Sequence, residues 1–263
     1  MKELSEIIRK RKTFAIAFSG GVDSTFLAAL ARNVCKDGVV AITADSNFYS
    51  REDLKSAIKI AELIGIKHFI VKVDLMSDSN IIINSKERCY FCKKRLFSAI
   101  NKKAMELGFE TLAHGANIDD FQDYRPGLKA AKEMGIFSPL VEAKMTKSQI
   151  RLASKEMGLS TWDMPTQSCL ATRIPYNQTI TIEKLTKIET CENFLNQLGF
   201  SGIRVRCHTD MSNNDIARIE SPQQSIDILA EKNLRDSINS FFKANGFRFV
   251  SLDLAGYISG SMN

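Results

Sequence analysis

The segment Ser19–Ser24, with the sequence SGGVDS, constrains the fold of this chain more than any other. It follows a strand-like stretch at 13–18 and precedes a helix-like stretch that begins near Thr25. A glycine-rich turn between a strand and a helix is the context in which backbone N–H groups and a helix N-terminus bind phosphate. Asp23 would repel a phosphate, so a carboxylate here indicates that Mg²⁺ lies between it and the phosphate oxygens. The segment therefore predicts a phosphate site with magnesium.

This motif is neither a Walker A loop nor a dinucleotide-binding fingerprint, because it lacks both Gly-Lys-Ser/Thr and Gly-x-Gly-x-x-Gly. Ser19–Ser24 instead resembles the PP-loop, Ser-Gly-Gly-x-Asp-Ser, of the ATP pyrophosphatases. That resemblance implies that ATP is split between its α- and β-phosphates and that a substrate is activated as its adenylate. The predicted ligands of the ATP phosphates and Mg²⁺ are Ser19, Gly20, Gly21, Asp23 and Ser24.

Apolar, β-branched runs alternate with helical periodicity in the first part of the chain. Strands are predicted at 13–18, 38–43, 68–73 and 110–114, and helices at 3–11, 24–34, 51–64, 91–107, 126–134 and 147–157. This alternation predicts an α/β protein with a doubly wound parallel sheet. Ligands of such sheets bind outside the carboxyl ends of the strands. We therefore predict that Asp45 and Ser46, after the second strand, and Gly115, after the fourth, line the nucleotide site.

The pattern changes to α+β after residue 178. It predicts a helix at 181–198, strands at 203–207 and 215–219, a helix at 223–244 and a strand at 247–253. We predict two domains: a PP-loop domain at 1–175 and a smaller domain at 176–263 for substrate binding or oligomerisation.

Composition and charge fit a nucleotide-binding enzyme but do not select its substrate. The chain has 263 residues and a net charge of +6, which suits an anionic nucleotide and would also suit tRNA. No apolar run approaches the roughly 20 residues of a membrane span, so no membrane association is expected. The N-terminus lacks the apolar core of a signal peptide, so we expect a cytoplasmic protein. Six cysteines in such a chain argue against disulfides.

Three of the cysteines have the pattern of metal ligands. Cys89 and Cys92 form a Cys-x-x-Cys pair at the start of a predicted helix, and Cys169 lies in a long loop without clear periodicity. Three thiolates on a [4Fe-4S] cluster leave one iron open to a non-protein ligand. Structural zinc, with His114 or His208 as the fourth ligand, is the alternative.

Several further stretches resemble the LarE family of ATP-dependent sulfur transferases. They are 119–127, 162–176, 203–206, 215–220 and 246–257. The resemblance covers nearly the whole chain and implies a role in making the nickel-pincer nucleotide cofactor of lactate racemase-type enzymes. The implied substrate is pyridinium-3,5-biscarboxylic acid mononucleotide. ATP would adenylate a ring carboxylate, and sulfur would then displace AMP to leave a thiocarboxylate. The stretch 207–214 looks longer than the turn usual in this family.

Members of that family differ in their sulfur source. Some sacrifice the sulfur of a single cysteine, which corresponds to Ser168 here, and lack the pair at Cys89 and Cys92. Others, which this chain resembles, hold a [4Fe-4S] cluster with a Cys-x-x-Cys pair and one loop cysteine. The resemblance thus implies a cluster on Cys89, Cys92 and Cys169 that carries an extra sulfide, with the sulfide source left open. Sulfur transfer by a sacrificial Cys169 is the alternative.

Arginines in the second half of the chain are candidates for binding the substrate. Arg204 and Arg206 share one face of a strand, since residues i and i+2 point the same way, and with Arg218 they look like a phosphate clamp. An exposed sheet face paired with Glu220 is the alternative, and the family resemblance favours the clamp. The predicted substrate-binding residues are Arg125, Arg204, Arg206, Arg218 and Glu220, and the predicted catalytic residues are Asp23, Cys169 and Arg173.

Other functions fit parts of the pattern. PP-loop enzymes that thiolate tRNA also use cysteines, but they usually carry more Cys-x-x-Cys pairs or a strongly basic stripe. An ATP-binding sensor with structural zinc, or an amide-forming synthetase that needs an ammonia source, are further alternatives. Only one Cys-x-x-Cys pair is present here and the net charge is mild, which argues against a nucleic-acid partner. The family resemblance implies a homo-oligomer, for example a hexamer.

Overall fold

The computed structural model describes residues 1–121, 126–165 and 168–258. The helices are α1 (Lys2–Arg11), α2 (Val22–Cys35), α3 (Arg51–Leu63), α4 (Ser79–Ile82), α5 (Arg88–Glu106), α6 (Pro126–Glu133), α7 (Pro139–Glu142), α8 (Lys147–Glu156), α9 (Ile182–Gln197), α10 (Ile226–Ala230) and α11 (Lys232–Ala244). The strands are β1 (Phe14–Ala17), β2 (Val39–Asp45), β3 (Lys67–Lys72), β4 (Leu112–His114), β5 (Arg204–Thr209), β6 (Asp215–Glu220) and β7 (Phe249–Leu252).

The chain forms two compact units. Unit 1 comprises Met1–Leu75 and Glu87–Gln167, and unit 2 comprises Met76–Lys86 and Ser168–Asn263. This division falls before the predicted boundary at 175/176 and assigns a segment from the first half of the chain to unit 2. The reason lies in Asn84, whose side-chain amide donates to the carbonyls of Ile174 (3.2 Å) and Pro175 (2.8 Å).

Unit 1 is built on a parallel sheet with the strand order β3-β2-β1-β4. Alternate residues of β1 enter different apolar clusters: Phe14 and Ile16 pack with α1, α2 and α8, whereas Ala15 packs with residues of α5 and α6. This period-two alternation explains why helices cover both faces of the sheet. The predicted α/β fold with a doubly wound parallel sheet is confirmed.

Unit 2 contains a small mixed sheet. Strands β5 and β6 are antiparallel neighbours, and β7 runs parallel to β6. The helix predicted at 223–244 is wrong, because the chain forms a 3₁₀ turn, then α10, then α11, with extended backbone at Glu231 (φ −58°, ψ 136°). Leu229 and Ile238 are both buried, yet they would face opposite sides of one continuous helix at 3.6 residues per turn. The break lets both side chains be buried.

Candidate active site

Three loops meet at the carboxyl edge of the parallel sheet. Because β1 pairs in parallel with both β2 and β4, the segments that follow these strands lie at the same edge. These segments are Ser19–Ser24 after β1, Asp45 and Ser46 at the end of β2, and Gly115 after β4. The sheet topology therefore brings together the nucleotide-site residues of unit 1 that the sequence pattern singled out.

The loop after β1 is organised by its two serines. Ser24 Oγ accepts the N–H of Ser19 (3.3 Å) and donates to the carbonyl of Gly21 (3.2 Å), and the two serine hydroxyls lie 3.1 Å apart. Gly21 is the N-cap residue of α2 and provides no side chain to cap the helix. The first N–H groups of α2 consequently face this edge without a capping side chain, which is the arrangement of an anion site.

Two glycines permit the close packing of this loop. Gly20 has φ +74°, and a Cβ there would lie 2.9 Å from Ala57 Cα. At Gly115, a Cβ would lie 2.9 Å from the backbone N of Ser24 and 3.1 Å from the carbonyl carbon of Asp23. The end of β4 is thus in contact with the backbone of the glycine-rich loop itself.

Replacing Gly115 with Ala is expected to distort the loop. The added methyl would push against backbone atoms of Asp23 and Ser24, so we expect a loss of about 1–3 kcal/mol in unfolding free energy together with weaker ATP binding. Calorimetric ATP titration and denaturant unfolding measure the two effects. Gly158→Ala is the control, because Gly158 has φ +70° with no atom within 4 Å of the new Cβ. Gly158→Ala should lose stability only through backbone strain and should bind ATP as tightly as the wild type. Equal ATP affinities for the Gly115 and Gly158 variants would contradict the prediction.

Asp23, in the first turn of α2, forms an ion pair with Lys147 at the start of α8. Its second oxygen, Oδ1, is buried and has no hydrogen-bond partner among the described residues. Burial raises the pKa of the Asp23 carboxyl above its usual value, against the opposing effect of the Lys147 ammonium, and the carboxylate of Asp120 adds to the rise. A buried, unpaired carboxylate oxygen beside a phosphate site fits a Mg²⁺ ligand, because Mg²⁺ prefers oxygen ligands and binds through few carboxylates plus substrate phosphates.

The acidic residues Asp119 and Asp120, which follow β4, accept hydrogen bonds from backbone N–H groups. Asp119 Oδ2 accepts the backbone N–H of Lys147 (2.7 Å), and Asp120 Oδ2 accepts the N–H of Asn117 (3.0 Å). Asp119 therefore stabilises the N-terminus of α8, as expected for a carboxylate at a helix N-terminus. Asp123 and Arg125, which belong to the same sequence stretch, lie outside the described residues.

At the end of β2, Asp45 pairs with Arg51 (2.8 Å), and Arg51 also donates to the carbonyl of Ser46 (3.1 Å). Ser46 Oγ accepts the N–H of Phe48 (3.3 Å). The side chains of Asp45 and Ser46 thus shape this loop, and their predicted contact with adenosine stays a prediction.

His114, the last residue of β4, is neutral near pH 7. Its Nε2 lies 2.7 Å from Ser138 Oγ, and burial together with the nearby Lys93 cation lowers its pKa to about 4. A histidine in this state acts as a satisfied polar residue, and its ring packs edge-to-face against Phe97.

The lowered pKa of His114 makes stability depend on pH. Its folded pKa lies below the unfolded value, so the stabilisation is complete above about pH 6.5 and is lost as the pH falls toward 4. Between pH 7 and pH 5 we expect this group to cost about 2 kcal/mol of unfolding free energy. Denaturant unfolding of the wild type and of His114→Gln at both pH values measures it. An equal pH dependence in the two proteins would refute the assignment.

The cysteine pair lies in the first turns of α5. Cys92 is buried, Cys89 is partly buried, and Arg88 Nη2 donates to Cys89 Sγ at 3.7 Å. At positions i and i+3 of a helix, the two sulfurs share one face, which suits two ligands of one metal centre. Within the described residues, no group of three or more Cys, His, Asp or Glu side chains is arranged to hold a metal ion.

Cys169, in unit 2, is the N-cap residue of a 3₁₀ turn at Leu170–Arg173 and is partly buried. Arg173 organises this turn. Its Nη1 donates to the carbonyls of Ser168 (2.8 Å) and Cys169 (3.1 Å), while Nε and Nη2 donate to the two oxygens of Glu192 (2.9 and 3.1 Å). Arg173 is only 3% exposed, and its guanidinium N–H groups donate hydrogen bonds to other atoms of the protein.

Strands β5 and β6 carry the predicted clamp on one face. Arg206 donates to Glu220 Oε2 through Nε (2.8 Å) and Nη2 (2.5 Å), and Arg218 pairs with Glu220 Oε1 (3.1 Å) and with Asp253. Arg218 Nε also donates to His208 Nε2 (3.1 Å), and burial together with the cations of Arg218 and Arg206 lowers the pKa of His208. The arginines share a face and pair with Glu220, but Arg206 and Glu220 are buried, so this is not the exposed sheet face of the alternative interpretation.

Arg204 differs from the other clamp arginines. Its Nε is buried without a hydrogen-bond partner among the described residues, and Nη1 donates to the carbonyl of Ile203 (2.9 Å). Burial, with the cations of Arg173 and Arg206 adding to it, lowers the pKa of Arg204. A buried guanidinium N–H without a partner is an arrangement that an anionic ligand would satisfy.

Residues that the pattern did not single out complete these sites. Lys147 and Arg51 pair with the predicted carboxylates of unit 1, and Glu192 anchors Arg173 in unit 2. Lys147 is the first residue of a helix with a Thr146/Gln149 capping box, a signal that locates the helix start but not its partner.

Comparison with known proteins agrees with this description. The NAD synthase family model matches residues 3–105. An uncharacterized protein of Synechocystis sp. is 42% identical over 94% of this chain and 91% of its own length. The pyridinium-3,5-bisthiocarboxylic acid mononucleotide synthase of Lactiplantibacillus plantarum is 37% identical over 94% of this chain and 88% of its own length. An uncharacterized protein of Methanocaldococcus jannaschii is 34% identical over 95% of this chain and 92% of its own length.

The parallel sheet and the glycine-rich loop at its carboxyl edge define a nucleotide-binding protein of the PP-loop class. The similarity to the Lactiplantibacillus synthase extends through both units. The chain belongs to the LarE family of pyridinium mononucleotide sulfur transferases. In the described residues, no helix is long and apolar enough to cross a membrane.

Proposed function

We propose that this protein is an ATP-dependent sulfur transferase that converts a carboxylate of pyridinium-3,5-biscarboxylic acid mononucleotide into a thiocarboxylate. The observation that carries the proposal is the similarity over 94% of the chain to a synthase of the corresponding bisthiocarboxylic acid. The glycine-rich loop, with its uncapped helix N-terminus and the buried Oδ1 of Asp23, supplies what ATP and Mg²⁺ require. The pathway served is the biosynthesis of the nickel-pincer nucleotide, and thereby the maturation of lactate racemase-type enzymes.

The first step is adenylation. A carboxylate oxygen of the substrate attacks the α-phosphorus of ATP, the bond to the bridging oxygen breaks, and pyrophosphate leaves with that electron pair. The protein forms no covalent bond in this step, so its contribution is to position the two substrates and to neutralise the charge of the phosphates. Ser19, Ser24 and the N–H groups that open α2 hold phosphate oxygens, Asp23 anchors Mg²⁺, and Asp45, Ser46 and Gly115 border the nucleoside.

The second step is the transfer of sulfur. A sulfur nucleophile attacks the acyl carbon of the adenylate, and AMP leaves with the electron pair of the broken C–O bond. Arg204, Arg206 and Arg218 bind the phosphate of the mononucleotide, while Glu220 positions Arg206 and Arg218 through its ion pairs, and the unpaired Nε of Arg204 supports this assignment. Arg125 is proposed as a further substrate contact. Arg173 fixes the turn that carries Cys169.

Cys89, Cys92 and Cys169 would hold a [4Fe-4S] cluster, and the donor set fits, because thiolates are its ordinary ligands and the first two share a helix face. Bound there, the cluster would supply sulfide repeatedly. A Cys169 that gives up its own sulfur is the second candidate, and it would leave a dehydroalanine. We further propose a cytoplasmic homo-oligomer, for example a hexamer.

Turnover with defined substrates tests the function. Protein purified without oxygen is incubated with ATP, Mg²⁺, sulfide and the pyridinium biscarboxylic mononucleotide. We expect substrate-dependent AMP and pyrophosphate, and a product in which one oxygen is replaced by one sulfur. If tRNA stimulates AMP formation and the mononucleotide does not, the tRNA-thiolation alternative replaces the proposal.

Iron and acid-labile sulfide contents test the cluster. We expect Cys89→Ser, Cys92→Ser and Cys169→Ser each to lose iron, whereas Cys35→Ser, which removes a cysteine outside the proposed set, retains it. Full iron in Cys169→Ser would contradict the three-cysteine ligand set. A protein that loses one H₂S in mass during turnover would instead support the sacrificial route.

A further inference from the structure

The segment after β7 packs against the strands that carry the predicted clamp. Asp253 donates its backbone N–H to the carbonyl of Ile219 in β6 (2.9 Å), and its carboxylate pairs with Arg218. Tyr257 donates its backbone N–H to the carbonyl of Ser221, the residue after β6 (2.8 Å). The segment is therefore attached to β6 at both of its ends, which fixes its course beside the clamp.

Gly256 forms the turn that brings Tyr257 to this place. It has φ +71°, and its N–H donates to the carbonyl of Asp253 (3.1 Å). A Cβ at position 256 would lie 2.8 Å from the carbonyl oxygen of Ser221. The positive φ and the close approach both require glycine. The turn thus holds its backbone against Ser221 and sets the position of the residue that follows.

The ring of Tyr257 lies beside Arg204. The guanidinium carbon of Arg204 is 5.6 Å from the centroid of the Tyr257 ring, within the range of a cation–π contact. Arg204 is also the clamp residue whose buried Nε has no partner among the described residues. Tyr257 is 40% exposed, so part of its ring is open to a ligand. An aromatic surface consequently borders the place where an anion would bind.

We propose that Tyr257 is a substrate-binding residue whose ring stacks on the pyridinium ring of the mononucleotide while Arg204 binds the phosphate of the same molecule. The proposal rests on the proposed function and identifies the contact that recognises the base. A pyridinium ring is flat and positively charged, and the electron-rich face of a tyrosine attracts such a ring. One ribose separates the base of a mononucleotide from its phosphate, and the 5.6 Å between the Arg204 guanidinium and the Tyr257 ring spans a comparable length.

The binding of two probes to the whole chain tests this contact. Nicotinate mononucleotide carries a pyridinium ring, ribose and phosphate, whereas ribose 5-phosphate lacks the ring. For Tyr257→Leu we expect the affinity for nicotinate mononucleotide to fall about tenfold, the effect of one lost stacking contact, and the affinity for ribose 5-phosphate to stay unchanged. An equal loss for both probes would mean that Tyr257 acts only by placing Arg204. That result, or an unchanged affinity for nicotinate mononucleotide, would overturn the proposal.

Nuclear magnetic resonance provides a readout that a merely structural role would not change. The ring current of a stacked aromatic side chain moves the pyridinium proton signals of the bound probe upfield. We expect this shift in the wild type and in Tyr257→Phe, which keeps the ring, and its loss in Tyr257→Leu. Phe249→Leu is the matched control and should keep the shift, because Phe249 is also exposed (54%) and Arg248 lies 5.8 Å from its ring centroid.

The same measurements separate this contact from the proposed function. A wild type that binds neither probe and does not convert the pyridinium biscarboxylic mononucleotide would refute the proposed function, and the contact with it. A wild type that converts this substrate, while Tyr257→Leu keeps both the upfield shift and the affinity, would refute the stacking on Tyr257 alone.

Discussion

Replacing Asp23 with Asn should reduce pyrophosphate release by about 10²–10³-fold at saturating ATP. The substitution keeps the shape of the side chain and removes the charge that would anchor Mg²⁺ through the buried Oδ1. Without that anchor, the loop has helix N–H groups for the phosphates but no carboxylate to position the metal between them. The release of pyrophosphate, measured with an enzyme-coupled assay over a range of Mg²⁺ concentrations, checks the result. We expect high Mg²⁺ to recover only part of the lost rate.

The stability of the same variant provides an independent check. Burial raises the pKa of Asp23, so its charged form costs stability at neutral pH, and the stabilisation from its neutral form is lost as the pH rises through the folded pKa. Asp23→Asn should therefore keep or raise the thermal midpoint while activity collapses. Asp37→Asn makes the same chemical change at a carboxylate that is 76% exposed. It should alter neither the thermal midpoint nor the rate of pyrophosphate release. An Asp23→Asn protein with a rate within about threefold of the wild type would contradict the assignment.

Replacing Arg173 with Met should destabilise unit 2 by about 3–5 kcal/mol, because it leaves Glu192 largely buried and without its cationic partner. The turn that carries Cys169 would also lose its donors to Ser168 and Cys169. For a unit of this size, the thermal midpoint should fall by roughly 15–20 °C. Calorimetry measures the midpoint, and the rate of Cys169 alkylation reports the exposure of the turn, which should increase.

Arg235→Met is the control for this prediction. Arg235 pairs with its neighbour Asp236 at 3.3 Å, and both side chains are more than half exposed. Such a pair contributes little, so the control should lie within about 0.5 kcal/mol of the wild type. If Arg173→Met instead unfolds like the wild type while turnover collapses, Arg173 acts on the substrate directly, as the sequence pattern predicted.

The fold class and the position of the glycine-rich loop at the carboxyl edge of the sheet could be predicted from the sequence alone. Glycines at positions 20 and 21, between an apolar run and a helix, restrict the backbone locally, and local restrictions can be predicted without knowing distant contacts. The alternation of strand and helix patterns then fixes a parallel sheet, whose carboxyl edge gathers the loops after β1, β2 and β4. The spacing of Cys89 and Cys92 likewise established that the two sulfurs share a helix face.

Which charged side chains pair with each other depends on the tertiary fold. Lys147 lies 124 positions from Asp23 along the chain, and Glu192 lies 19 positions from Arg173, so no local pattern links either pair. The break between α10 and α11 has the same origin, since the burial of Leu229 and Ile238 overrides a continuous helical propensity. Ion pairs and buried contacts between distant residues depend on how whole elements pack, and packing is a property of the folded chain.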